Sequence, residues 1–118
     1  MTELIACLSS GKGTWGHVTK VIEGRPWERV FLIGDKFAKE KLQLRPNMEF
    51  IETDFNLFLP ELIRDIQKKL EGKIKGLEAG VNIISGSGKE HMALLSALLK
   101  LGVGVRFVAL TPKGVQEI

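Results

Sequence analysis

Two short stretches rich in glycine, hydroxyl side chains and lysine, Ser9-Ser10-Gly11-Lys12-Gly13-Thr14 and Ser85-Gly86-Ser87-Gly88-Lys89, each follow an apolar run and each lead into a helix-like segment. Free backbone N–H groups, hydroxyl donors, the positive end of a helix dipole and a lysine ammonium together make a site for phosphate. One such loop suggests a phosphate site; two suggest one shared ligand. The candidate ligand contacts are therefore Ser9, Ser10, Gly11, Lys12, Gly13 and Thr14 from the first loop, and Ser85, Gly86, Ser87, Gly88 and Lys89 from the second. The two histidines fall in matching places, His17 after the first loop and His91 after the second, each in the first turn of the helix that its loop opens. Imidazole beside a phosphate can bind it or carry protons during attack on it. Lys89, His91, Ser10 and His17 are accordingly the candidate catalytic residues. No metal site and no separate cofactor is expected.

The elements that must position these loops follow from hydrophobic periodicity. The continuous apolar run at 4–8 suits a strand covered on both faces, 30–33 is a second buried strand, and 48–53, 81–85 and 105–110 read as three more strands. Apolar residues at three- and four-residue spacing predict helices over 14–23, 36–42, 59–70 and 89–101, with Pro60 and Glu61 fitting the first turn of the third. Residues 72–80 read as a loop or frayed helix end, and 113–118 as a short edge strand. Strand and helix alternate, which favours a three-layer, Rossmann-like α/β domain with a mainly parallel five- or six-stranded sheet, one domain spanning 1–118. In such sheets ligands sit beyond the carboxyl ends of the strands where strand order reverses, commonly between strands one and four, the two that carry the loops.

Composition narrows the partners. The 118 residues, 44% hydrophobic and 26% charged, are those of an ordinary folded domain. A net charge of +3 admits an anionic ligand but lacks the basic stripe that a duplex DNA groove would need. Lys100, Gly102, Gly104 and Arg106 divide the most apolar stretch into a helix and a strand, so no membrane span is expected. A single cysteine, Cys7 inside the first apolar run, and a start without a basic leader together suggest a cytoplasmic protein.

Three motifs compete for the loops. Gly11-Lys12-Gly13-Thr14-Trp15-Gly16 spells the dinucleotide fingerprint, with Asp35 ending the second strand where a ribose ligand is expected, so an NAD-type binding module is one reading. Gly86-Ser87-Gly88-Lys89 has a flavour of the P-loop but lacks its span, and Glu90 stands where Ser or Thr should meet magnesium. The third comparison is with a family. Ile51-Glu52-Thr53-Asp54-Phe55-Asn56-Leu57, leading into Leu59, Leu62 and Ile63, and Ser85-Gly86-Ser87-Gly88-Lys89-Glu90-His91-Met92-Ala93-Leu94-Leu95 resemble the third-strand and fourth-strand motifs of the CARF domain, the CRISPR-associated Rossmann-fold sensor of cyclic oligoadenylates, as found in archaeal CRISPR transcription regulators. The turn here departs from the common Thr-Gly-Gly-Thr-Lys form.

That resemblance implies a ligand held by the loops after the first and fourth strands of two subunits. No winged-helix or nuclease segment follows in these 118 residues, so it further implies either a sensor acting through a separate effector protein or a metal-independent ring nuclease that drives a ribose 2′-hydroxyl at the adjacent phosphate. The fourth helix, apolar nearly all round from Met92 to Leu101, is compatible with a homodimer; burial by neighbouring helices alone explains it as well. A structural or interaction protein without ligand is the remaining alternative.

Overall fold

The computed structural model describes residues 1–9 and 12–118, Lys12 by its backbone alone. The expected α/β architecture is present, a six-stranded sheet with helices on both faces. The strands are β1 (Glu3–Leu8), β2 (Arg29–Gly34), β3 (Met48–Glu52), β4 (Glu78–Asn82), β5 (Gly104–Thr111) and β6 (Gly114–Glu117). The helices are α1 (Trp15–Glu23), preceded by a 3-10 turn over Lys12–Thr14, then α2 (Lys36–Lys41), α3 (Leu59–Leu70) and α4 (Gly88–Lys100). Strand order is β3-β2-β1-β4-β5-β6, parallel throughout except for the antiparallel β5–β6 hairpin. After β1 the chain builds outward through β2 and β3, then returns to the other side of β1 for β4. The order thus reverses between β1 and β4, which places the starts of α1 and α4 on opposite faces of one crevice.

Alternation along β1 and β2 divides the core. Ile5, Cys7, Phe31 and Ile33 join Leu62, Ile66, Leu94 and Leu98 of α3 and α4 on one face. Leu4, Ala6, Leu8, Val30 and Leu32 join Val18, Val21 and Ala38 of α1 and α2 on the other. Both faces of the central strands are dry, hence their continuous apolar sequence.

The largest difference from expectation concerns β4, which begins at Glu78 and ends at Asn82 instead of covering 81–85. Ala79 and Gly80 do not look like strand residues, but the absent side chain of Gly80 is what admits the Trp27 indole, since a Cβ there would lie 2.9 Å from Trp27 Cη2. Beyond the strand, the Asn82 side chain ends the ladder. Its Nδ2 donates to Val108 O at 2.8 Å, and its Oδ1 accepts the Ile84 N–H at 3.3 Å, turning the apolar pair Ile83-Ile84 out of the sheet. At the opposite end, buried Glu3 accepts the N–H groups of Lys75 (3.0 Å) and Gly76 (2.7 Å) and pins the connection between α3 and β4.

Candidate functional site

The two glycine loops touch. Ser9, directly after β1, donates its N–H to Ser85 Oγ at 3.0 Å, and both residues are buried. The Ser9 carbonyl accepts the Trp15 indole N–H at 2.7 Å, so the first turn of α1 folds back over the end of β1. Ser10, Gly11 and the Lys12 side chain lie outside the described residues. Gly13 is exposed and Thr14 half-buried ahead of α1. The β1 and β4 loops therefore form one structure, but Ser9 and Ser85 serve it from inside. Of these two expected ligand contacts, Ser85 is fully buried, with its hydroxyl and carbonyl both engaged, and Ser9 is 5% exposed.

At the second loop Gly86 has φ +110°, a conformation that favours glycine, and a Cβ would lie 2.9 Å from Glu90 Oε1 and 3.0 Å from both Cys7 Sγ and His91 Nε2. Ser87 caps α4: its hydroxyl accepts the Glu90 N–H at 3.3 Å, while Glu90 Oε1 accepts the Ser87 N–H at 2.9 Å. This is a reciprocal capping box, and the Ser-x-x-Glu spacing of Ser87 and Glu90 is its local sequence signal. The first intrahelical bond runs from His91 N–H to Ser87 O, so the N–H groups of Gly88 and Lys89 precede the helical ladder. Ser87, Gly88 and Lys89 are exposed. They provide a helix N-terminus with one carboxylate already at its mouth and one ammonium beside it.

Lys89 does not stand alone. Its Nζ donates to Phe55 O at 2.9 Å, tying the start of α4 to the connection between β3 and α3. The two segments that carry the CARF resemblance are thereby in direct contact, although they are 34 residues apart in sequence.

Both histidines are engaged structurally. His91 Nε2 lies 2.8 Å from Ser85 O, a geometry that needs a proton on this nitrogen, and so ties helix to turn. His17 Nε2 accepts the Leu110 N–H at 3.2 Å and lies 3.3 Å from Asn82 Nδ2, which leaves its ring proton on Nδ1. His17 braces α1 against β4 and β5. His91 and His17, expected as acid–base groups, thus each commit one ring nitrogen, Nε2, to a contact within the fold. Cys7 is a bystander: burial, with the nearby Glu90 carboxylate adding to it, pushes its thiol up to about 12.

Of the dinucleotide fingerprint, Gly11 lies outside the described residues and Gly13 and Gly16 are exposed. Its third glycine permits close helix–strand packing, yet a Cβ on Gly16 or Gly13 would meet nothing within 4 Å. Asp35 Oδ1 accepts the Ala38 N–H at 2.9 Å and caps α2.

A pocket not anticipated from sequence, of about 480 Å³, opens beyond the carboxyl ends of β2 and β3. Phe37, Thr53, Asp54 and Leu57 are among its walls, and segment 54–57 separates it from Lys89. Among the described residues no group of three or more His, Cys, Asp or Glu could hold a metal ion, and no helix is long and apolar enough to cross a membrane.

The fold is that of a Rossmann-like α/β domain, with the ends of β1 and β4 joined through Ser9 and Ser85 at its switch point. A scan against protein-family models finds no match, and a search of curated proteins finds none either.

Proposed function

We propose that the chain binds a phosphate-rich nucleotide beside the paired glycine loops, with a cyclic oligoadenylate as its ligand, in the manner of the CARF domains it resembles. The observation that carries this reading is the Ser9 N–H to Ser85 Oγ bond, which joins the loops of two adjacent parallel strands at the reversal of strand order. That is where ligands gather in open α/β sheets. The exposed turn from Gly86 to Lys89 supplies helix N–H groups, and Lys89 supplies the positive charge. Glu90 offsets part of that charge, so a ligand whose phosphates each carry one charge suits the turn better than a dense polyphosphate.

The dinucleotide reading has less support, because a Cβ on Gly16 would meet nothing within 4 Å, so the close helix–strand packing its third glycine serves is missing. The geometry favours binding over cleavage, because His91 and His17 are held by Ser85 and Leu110. A ring with internal two-fold symmetry matches a homodimer, and α4 offers it a surface: Met92 is 57% and Leu99 72% exposed on the helix that the turn opens. A separate effector protein would then read the liganded pair.

A thermal-shift panel with cyclic tetra-adenylate, NAD and ATP tests the proposal. A ligand at 100 times its dissociation constant stabilises by about 2.7 kcal/mol. Cyclic tetra-adenylate is expected to raise the melting temperature and NAD to leave it unchanged; stabilisation by NAD alone would reverse the conclusion. Chromatography of the recovered ring then distinguishes binding from cleavage.

A further inference from the structure

The pocket beyond β2 and β3 differs in chemistry from the glycine turn it adjoins. Four carboxylates, Asp35, Glu52, Asp54 and Asp65, face it against two ammonium groups, Lys36 and Lys69. Asp65 is satisfied internally by Thr53 Oγ1 at 2.6 Å and Lys69 Nζ at 3.0 Å, and Glu52 pairs with Lys39 at 3.5 Å. Asp35 and Asp54 each spend one oxygen on a local N–H, those of Ala38 and Asn56. An ionised carboxylate has about four lone-pair sites, so both retain acceptor capacity. Such a wall repels phosphate and receives hydroxyl or amine donors. Leu57, half-buried, and Phe37, 43% exposed, add apolar walls for a flat ring, the Phe37 ring already meeting Trp15 at 6.5 Å between centroids and Lys41 Nζ at 5.6 Å.

We infer that this pocket takes an uncharged nucleoside, its base lying on Phe37 and Leu57 and its hydroxyl or amino donors on Asp35 and Asp54. The inference rests on the nucleotide reading and extends it. Segment 54–57 is the shared wall: Asp54 and Leu57 line the pocket, and the Phe55 carbonyl on its other side holds Lys89. Phosphate at the turn and nucleoside in the pocket are thus adjacent halves of one ligand site. The volume of about 480 Å³ lies inside the usual range of small-molecule sites, about 300–1,000 Å³.

The test uses adenosine, which carries no phosphate, titrated by NMR into the full chain and into the Phe37→Ala, Phe37→Leu and Asp54→Asn variants, with spermidine as a cationic comparison. Adenosine is expected to shift amides of 35–37 and 53–57, and Phe37→Ala to weaken it by about fivefold or more, Phe37→Leu by less. Asp54→Asn is expected to weaken it too, while Leu77→Ser at the far end of β4 leaves it unchanged. Phe37 and Asp54 are on the surface, so melts of the variants separate lost binding from lost folding. Adenosine affinity unchanged in Phe37→Ala and Asp54→Asn overturns the pocket assignment even if cyclic tetra-adenylate binds. Shifts caused by spermidine and not adenosine overturn it in favour of a cation. Adenosine binding without any cyclic tetra-adenylate binding leaves the pocket standing and tells against the nucleotide reading.

Discussion

Replacing Ser85 by alanine removes one hydroxyl and, with it, the only acceptor given to the Ser9 N–H among the described residues. Both groups are buried, Ser85 fully and Ser9 to 5% exposure, so water cannot take over the bond. An unsatisfied buried donor costs about 1–3 kcal/mol; the cavity left by one oxygen adds little, so the expected loss is about 2 kcal/mol. For a chain of this length that lowers the melting temperature by roughly 8 °C, at about 4 °C per kcal/mol. The assay is urea denaturation followed by tryptophan fluorescence, with hydrogen exchange at the Ser9 amide as the local readout. An unchanged urea slope with a lower midpoint would assign the loss to the folded state, and the Ser9 amide should exchange faster than its neighbours in β1. The control is Ser87→Ala, which removes an exposed helix cap and is expected to cost about 1 kcal/mol without affecting Ser9. A Ser85→Ala protein within about 0.5 kcal/mol of wild type, its Ser9 amide still protected, would refute the claim that this bond joins the loops.

Three further outcomes follow from the same contacts. Gly86→Ala meets Glu90, Cys7 and His91 within 3.0 Å at a φ of +110°, and is expected to destabilise by about 2 kcal/mol or more and release the α4 cap, checked by denaturation and by exchange at the Ser87 amide. Glu3→Ala frees the N–H groups of Lys75 and Gly76, with an expected loss of about 2–3 kcal/mol; Glu3→Gln keeps one acceptor and should lose less. Cys7 should resist iodoacetamide until the chain unfolds, and its titration has a defined sign. The folded thiol is pushed up to about 12 from an ordinary 9.0, so as pH rises past 9 the unfolded state loses its proton first. Stability is then full below pH 9 and falls toward pH 12 by up to about 1.4 kcal/mol per unit. Alkaline denaturation of Cys7→Ala, which lacks that proton, should fall less steeply.

Local signals gave reliable elements wherever they agreed. The third helix was legible to its bounds because its apolar face has helical spacing and Pro60 fits only its first turn. The parallel core was legible because β1 and β2 are buried on both faces and carry no alternation. β4 was displaced because its glycine answers to Trp27, more than fifty residues away, and its apparent continuation, Ile83-Ile84, is turned aside by Asn82. In the site, the position of the glycine loops followed from strand–helix alternation, whereas the destinations of their side chains did not. Ser85 meets Ser9 across 76 residues, His17 meets Leu110 across 93, and Lys89 meets Phe55 across 34; no periodicity encodes such pairs. Phe37 and Asp54 were hidden for the same reason, being brought to one pocket by the β2–β3 pairing. The Ser87–Glu90 capping box was local and could have been read.

The most direct measurement is calorimetric titration of the wild-type chain and its Lys89→Ala variant with cyclic tetra-adenylate at low salt. The expected result is saturable binding of one ring per two chains, weakened by tenfold or more, about 1.4 kcal/mol, when the Lys89 ammonium is removed. Absence of binding by the wild-type chain at millimolar ring, or equal affinity with and without Lys89, would contradict the assignment of the paired glycine loops to a nucleotide.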